Sequence, residues 1–244
     1  MATVLAPVGV VSRLTLNGTV SAGDLIGYDG TGYVLADANA TASIRFEYVA
    51  LEAGIAADVI RATRQATLET SGLTAGGLVF VSATAGGLTQ TNPITATAFP
   101  QVVGIAKSTT VVDVDANYPH IFVPFNLAGA DAATAANYGY VFVAPIPCRL
   151  VGVYEVHRTA GSDGGSVTLD IEKLTTGTAQ DSGASMLAST INLKGTANTP
   201  VVASPTTTAA NARLDVGDSV ALDDAGTLTA VADVSGTLIF VAEL

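Results

Sequence analysis

The sequence predicts an all-β chain: a small β-barrel-like domain followed by a jelly-roll-type β-sandwich. The 244 residues are mostly Ala, Val, Thr, Gly and Leu, and the β-branched residues among them suit pleated, half-buried surfaces. Short apolar stretches alternate with Gly- and Asp-containing turns along the whole length. Several stretches also alternate apolar with polar residues, which is typical of strands with one buried face.

One unit, SAGDLIGYDGTGYVLAD over 21–37, gives the clearest local signal. Asp29 and Gly30 stand between two apolar stretches and tolerate the positive φ of a tight turn, so they predict a hairpin. Similar hairpins are predicted over 76–88, turning at Gly86-Gly87, and over 217–228, turning at Asp223-Asp224-Ala225-Gly226. Their spacing is irregular, which does not indicate a solenoid repeat.

Apolar and alternating segments predict the remaining strands in order. In the first half they are 44–49, 59–68, 102–107 and 111–114, and in the second half they are 121–125, 140–144, 149–157, 167–172, 201–202 and 235–243.

Four segments follow from these patterns. An extended arm is predicted for residues 1–12. This arm is apolar but is interrupted by Pro7 and Gly9, and it has no hairpin partner of its own. Residues 13–126 form the first β domain, 127–137 a linker of small residues, and 138–244 the sandwich. A helical turn over 131–136 is the alternative for part of the linker.

Composition excludes several classes of function. The net charge is −11 and the ten Lys and Arg residues are scattered, so binding to nucleic acid through phosphates is not expected. No run of about 20 apolar residues is free of Gly, Pro or charge, so no membrane partner is expected. The N-terminus has no basic leader, which predicts synthesis in a cytoplasm.

Residues with reactive side chains are few, and none forms a recognisable site. Cys148 excludes an intrachain disulfide and is expected to be a buried, unreactive thiol with only Arg149 adjacent. His120 and His157 are expected to be ordinary polar residues. The run 113–117 resembles the start of a calcium loop, but Tyr118 stands where that loop needs Gly. No catalytic, cofactor-binding or metal-binding residue is therefore predicted, and no enzyme.

The residues nevertheless carry a resemblance. Four segments carry it over about 13–115, in this order: SAGDLIGYDGTGYVLAD, EYVALEAGIAADVIRATRQATLE, LTAGGLVFVSATAGGLTQT and QVVGIAKSTTVVDV. In this order they resemble capsid decoration (cement or head-fibre) proteins of tailed bacteriophages. The second half resembles, less specifically, the β-sandwich domains appended to phage head and fibre proteins. This resemblance lies in YVFVAPIPCRLVGVYEVHRTAG, VTLDIEKL and LDVGDSVALD.

The resemblance implies a structural virion protein made in the bacterial host cytoplasm. The protein would bind the major capsid protein on the outer capsid surface and would associate with itself as a homotrimer. Its sandwich domain would be exposed on the particle. Apolar residues on both faces of strands, as at Val102-Val103 and Ile239-Val241, also favour self-association. The alternative is a carbohydrate-binding or adhesion module for host-surface glycans, but Trp is absent and Tyr138 and Tyr140 form the only nearby aromatic pair.

Overall fold

The computed structural model describes residues 2–39, 44–94, 100–130, 139–228 and 230–243; for 128–130 only the backbone is described. The chain is all-β, with a single helical turn, α1 (Ala209–Ala212), among these residues. It divides into two compact units, 1–118 and 119–244.

The first unit contains nine strands. They are β1 (Thr3–Thr15), β2 (Leu25–Tyr28), β3 (Tyr33–Leu35), β4 (Tyr48–Ala50), β5 (Val59–Glu69), β6 (Leu78–Val81), β7 (Leu88–Thr89), β8 (Val102–Ala106) and β9 (Val111–Asp115). They form one antiparallel sheet in the order β3-β2-β4-β5-β9-β8-β6-β7, and β1 adds to β5.

The two ends of this sheet meet. The backbone N–H of Leu25 donates to the carbonyl of Gly86 at 3.1 Å, and the N–H of Gly86 donates to that of Ala36 at 2.7 Å. A third such bond joins Ala38 to Ser82 at 3.0 Å. Buried residues from most of the strands fill the enclosed space, among them Leu25, Val49, Leu68, Val79, Val103 and Val112. The sheet is therefore curled into the barrel-like form that the sequence predicts.

The second unit contains ten strands. They are β10 (His120–Ala130), β11 (Gly139–Val143), β12 (Cys148–Val156), β13 (Thr168–Leu174), β14 (Ala184–Ser185), β15 (Ile191–Asn192), β16 (Val201–Ala203), β17 (Arg213–Leu214), β18 (Ser219–Ala225) and β19 (Ala232–Ala242).

These strands form two antiparallel sheets. The first has the order β10-β19-β12-β16, and β17 also pairs with β12. The second has the order β11-β18-β13-β14, and β15 also pairs with β13. Successive strands pass from one sheet to the other, except where the short strands β14 and β15 follow β13 and where β17 follows β16. The last strand, β19, lies between the first and the third, β10 and β12. This is the strand order of a jelly roll, so the predicted sandwich is confirmed. One core contains residues from both sheets, among them Phe125, Leu150, Leu169, Leu222 and Phe240.

A short turn recurs where strands begin. The carboxylate of Asp24 accepts the N–H of Ser21 at 2.7 Å, while the N–H of Asp24 donates to the Ser21 carbonyl at 3.2 Å. Residues 55–58 and 215–218 repeat both bonds, with side-chain distances of 2.9 Å. The third residue has positive φ in every case, which explains the predicted Gly-Asp pattern.

Two of the three predicted hairpins are confirmed. β2 pairs with β3, and Asp29 closes the turn by accepting the N–H groups of Thr31 and Gly32 at 2.8 and 2.9 Å. These bonds hold the pKa of Asp29 well below its usual range. β6 pairs with β7 as the second hairpin.

The third predicted hairpin is wrong. Asp223 and Asp224 lie inside strand β18, opposite Asp170 and Leu169 of β13, and the turn comes only at Gly226. Asp is a common turn residue, but here pairing with a strand about 50 residues earlier in the chain determines the conformation.

The structure places the division between the units earlier than the sequence predicts. Residues 119–126, expected in the first domain, belong to the second unit, because β10 pairs with β19 from His120↔Val241 to Ala130↔Ala232. The expected linker, 127–137, begins within this strand, and 131–137 lie outside the described residues.

Candidate interaction surface

The N-terminal arm is not without a partner, which corrects the sequence-based expectation. β1 pairs with β5 in antiparallel register from Thr3↔Glu69 to Thr15↔Val59. Sequence patterns did not reveal this pairing because some 50 residues separate the two strands. Among the described residues β5 is the only strand that pairs with β1, so the opposite edge of β1 faces away from the sheet.

The middle of β1 is apolar and exposed. Every residue from 5 to 11 is exposed, and Val10 retains 81% of its accessible surface. The large exposed side chains here are Leu5, Val8, Val10 and Val11. No residue from 1 to 12 carries a charged side chain. An uncharged apolar strand at the edge of a sheet is unusual on a soluble surface and is typical of a contact site.

Two irregularities shape this strand. The register shifts between Val4 and Ala6 and again between Val8 and Val11, so β1 contains one extra residue at each point. Gly9, with φ +77°, allows the second bulge, and the Thr63 hydroxyl donates to the Val8 carbonyl at 2.8 Å beside it. Bulges and Pro7, which lacks an N–H, interrupt the ladder of donors and acceptors that a flat edge would offer.

The sequence-predicted polar residues do not assemble into a reactive site. Cys148 is buried, and burial raises the pKa of its thiol to about 11, so this thiol is unreactive as expected. Asp113 and Asp115 bind side chains on β5, through Thr67 at 2.8 Å and Gln65 at 2.6 Å. Among the described residues no three His, Cys, Asp or Glu side chains are grouped to hold a metal ion.

His157 is more constrained than the sequence suggests. Its ring is fully buried, with Nδ1 3.0 Å from Glu155 and Nε2 3.3 Å from the Gly195 carbonyl. Glu155 lies near the end of β12 and His157 directly follows this strand, and their i, i+2 spacing in extended chain places both side chains on the same side, which is the signal that sequence inspection missed. The pair lies inside the sandwich, away from solvent, and therefore has a structural role.

The residues cited for self-association are already buried within the chain. Val102, Val103, Ile239 and Val241 are all almost inaccessible to solvent. They leave no apolar surface for a second copy to cover. Of the aromatic pair considered for glycan binding, Tyr140 is exposed and Tyr138 lies outside the described residues.

The fold thus defines a two-unit all-β protein with a barrel-like unit and a jelly-roll unit. Within the described part of the chain, no helix has the length and apolar character needed to cross a membrane. No protein-family model matches the sequence, and a comparison with curated proteins finds no relative.

Comparison with solved structures finds distant likenesses to viral proteins, among them the following three. The capsid of Ralstonia phage GP4 is 14% identical with a TM-score of 0.39, covering 52% of this chain and 86% of that one. The cyanophage Pam1 capsid asymmetric unit is 16% identical with a TM-score of 0.32, at the same coverage. A structure of infectious bursal disease virus, Gx strain, is 11% identical with a TM-score of 0.25, covering 99% of this chain and 55% of that one. Likenesses this distant carry no functional inference.

Proposed function

We propose that this chain is a structural virion protein that binds the outer surface of a tailed-phage capsid and stabilises the shell. The observation that carries the proposal is the uncharged, exposed, apolar segment 5–11 of β1. The sequence resemblance of 13–115 to capsid decoration proteins supports it independently, and the first unit contains both features.

The physical task is to add buried area at junctions between shell subunits. A stable protein–protein interface buries about 1,600 Å² in total, although affinity depends on its central contacts more than on its area. Many such contacts act together on one particle and resist its rupture. The charge of −11 limits non-specific adhesion to nucleic acid released nearby.

The contact would be made by side chains more than by an added strand. Both bulges and Pro7 interrupt the free edge of β1, so a long, regular ladder with a capsid strand is not expected. Leu5, Val8 and Val10 instead offer apolar groups for a complementary pocket. The first unit would hold the shell while the jelly roll projects outward, and the homotrimer rests on the resemblance alone.

A pair of matched variants tests this role. Val10→Lys places a charge in the centre of the exposed segment, and Val216→Lys does so at a 67% exposed position in the second unit. Both sites are open to solvent, so both variants should fold. In co-sedimentation with undecorated shells at several salt concentrations, Val10→Lys should weaken binding at least tenfold and Val216→Lys should leave it unchanged.

The converse result would overturn the assignment. If Val216→Lys weakens binding while Val10→Lys does not, the second unit holds the shell. Light scattering of the purified chain and of released particle components tests the trimer separately. A monomer in both measurements would remove the trimer and leave the shell-binding role standing.

A further inference from the structure

The dipeptide formed by Asn17 and Gly18 lies shortly after the end of β1. It is the only Asn-Gly pair in the sequence, because every other asparagine precedes a different residue. Asn17 is exposed and Gly18 is half-buried. Glycine has no side chain to shield its backbone nitrogen from the residue before it, so this nitrogen can readily reach the carboxamide of a preceding asparagine. The pair is therefore a candidate for a spontaneous change of covalent structure.

The backbone nitrogen of Gly18 is not engaged in a hydrogen bond. No oxygen of the described residues accepts its N–H. The neighbouring N–H groups, in contrast, are bonded: that of Asn17 donates to the Tyr33 carbonyl at 2.8 Å, and that of Val20 donates to the Gly54 carbonyl at 2.9 Å. An N–H that is bonded to an acceptor must first lose this bond before its nitrogen can attack a carbon atom, and Gly18 has no such bond to lose.

The backbone does not require glycine at position 18. Its φ lies outside the left-handed range that Gly23 and Gly30 adopt. A Cβ at Gly18 would make only an ordinary contact, 3.5 Å from Cγ1 of Val34. The position therefore accepts alanine without backbone strain, which provides a variant that shields the nitrogen and keeps the fold.

The side chain of Asn17 is held against the turn of the hairpin β2–β3. Its Nδ2 donates one hydrogen bond to Oδ2 of Asp29 at 2.9 Å and another to the hydroxyl of Thr31 at 2.8 Å. Both donors of the amide group are therefore in use. Gly32 allows this close approach, because a Cβ at that position would lie 2.7 Å from Cβ of Asn17.

These two hydrogen bonds oppose an attack on the carboxamide. The attack requires the Asn17 side chain to fold back toward its own backbone, whereas Asp29 and Thr31 hold it toward a turn that is 12 and 14 residues further along the chain. The bond to the Asp29 carboxylate is charge-assisted, and such bonds are stronger than neutral ones. The reaction should therefore start mainly from conformations in which the turn has opened locally.

We propose that Asn17 undergoes deamidation through a cyclic imide, and that Asp29 and Thr31 slow this reaction in the folded chain. The Gly18 nitrogen gives up its proton and forms a bond to Cγ of Asn17. The side-chain nitrogen takes up a proton and leaves as ammonia, which closes a succinimide ring. Water then adds to either carbonyl carbon of the ring and breaks the bond from that carbon to the ring nitrogen. One cleavage gives aspartate at position 17, and the other gives isoaspartate.

Both products would weaken the turn that protects Asn17. Hydrogen bonds from Thr31, Gly32 and Asn17 hold the pKa of Asp29 well below its usual range, so Asp29 is ionised at neutral pH. A new carboxylate at position 17 would face this charge in place of an amide donor. In isoaspartate the backbone also contains an extra carbon atom, which would shift the chain that leads into β2. The change would loosen the contact between the end of β1 and the hairpin irreversibly, and it does not depend on the proposed capsid role.

Peptide mapping by mass spectrometry tests the proposal after the full chain has been incubated at mildly alkaline pH, which favours loss of the Gly18 proton. We expect both aspartate and isoaspartate at position 17. Gly18→Ala should slow their formation roughly tenfold, because the added methyl group shields the nitrogen. Thr31→Val removes one acceptor of the amide and should speed their formation roughly threefold. Thr67→Val is the matched control, since it removes a hydroxyl bond to Asp113 at 2.8 Å that involves no residue of the turn, and it should not change the rate.

Two further comparisons separate a protected site from a damaged fold. In concentrated urea the wild type and Thr31→Val should react at the same rate, and both should react faster than the folded wild type. Asn17→Asp, which reproduces one product, should lower the melting temperature more than Asn126→Asp, which places the same charge beside the Ser235 hydroxyl. The proposal is overturned if only aspartate forms, if Gly18→Ala reacts as fast as the wild type, if Thr31→Val has no effect on the folded chain, or if urea does not speed the reaction.

Discussion

The imidazole Nδ1 of His157 lies 3.0 Å from Oε1 of Glu155, and both side chains are closed off from solvent inside the jelly roll. The other ring nitrogen faces the Gly195 carbonyl at 3.3 Å. Both nitrogens thus face oxygen atoms, so a proton must be present between His157 and Glu155 for the pair to be satisfied. Burial raises the pKa of Glu155, and the hydrogen bond to His157 partly offsets this.

Removing the ring should therefore be costly. His157→Ala leaves the Glu155 carboxyl buried without its partner, and we expect the free energy of unfolding to fall by roughly 3 kcal/mol. Urea denaturation followed by circular dichroism measures this loss. Arg158→Ala is the control, because its pair with Asp233 is at the surface and should contribute less than about 1 kcal/mol. Equal losses in the two variants would contradict a buried, coupled pair.

The pair also predicts a pH dependence. Because the pKa of Glu155 in the folded protein lies above its ordinary value of 4.5, the native state binds more protons than the unfolded state. Its contribution to stability is complete below about pH 4.5 and is lost as pH rises through the folded pKa. Glu155→Gln cannot titrate, so its stability relative to the wild type should rise above pH 4.5. A difference that is constant or falls with pH would show the sign to be wrong.

Local chemistry made much of the fold predictable. The hairpin at Asp29-Gly30 and the Gly-Asp turns follow from residues next to each other, and alternation of apolar and polar residues located β13. Pairings between distant strands were not predictable in this way, as with β1 on β5 and β10 on β19. Arg45, Arg64 and Asn117 line one cleft of the first unit, and this arrangement was hidden for the same reason, because only the topology brings these residues together.

The recurrent turn at 55–58 was missed because alanine replaces the expected glycine. Ala57 has φ +73° and is exposed. Its Cβ makes this left-handed backbone conformation strained, and no contact of the methyl group in the core offsets the strain. Ala57→Gly should raise the free energy of unfolding by about 1 kcal/mol, which thermal denaturation will detect.

The matching turns provide the controls. Gly217→Ala, at φ +89° in open space, should lower stability by about 1 kcal/mol through the backbone alone. Gly23→Ala should cost more, because its Cβ would also collide with the Ala2 carbonyl. If Ala57→Gly destabilises the chain, the left-handed conformation at this turn is incorrect.

The second unit should fold as a separate fragment only if that fragment includes β10, the first strand of the jelly roll. β10 pairs with β19 over nearly its whole length, and Val123 and Phe125 on β10 pack in the core between the sheets. A fragment of 119–244 retains this strand and should fold, with a cooperative thermal transition and dispersed NMR signals. A fragment of 138–244, which follows the boundary expected from the sequence, exposes the edge of β19 and leaves the two core positions empty, so it should aggregate or remain unfolded. Cooperative folding of the shorter fragment would mean that β10 is dispensable and would restore the later boundary.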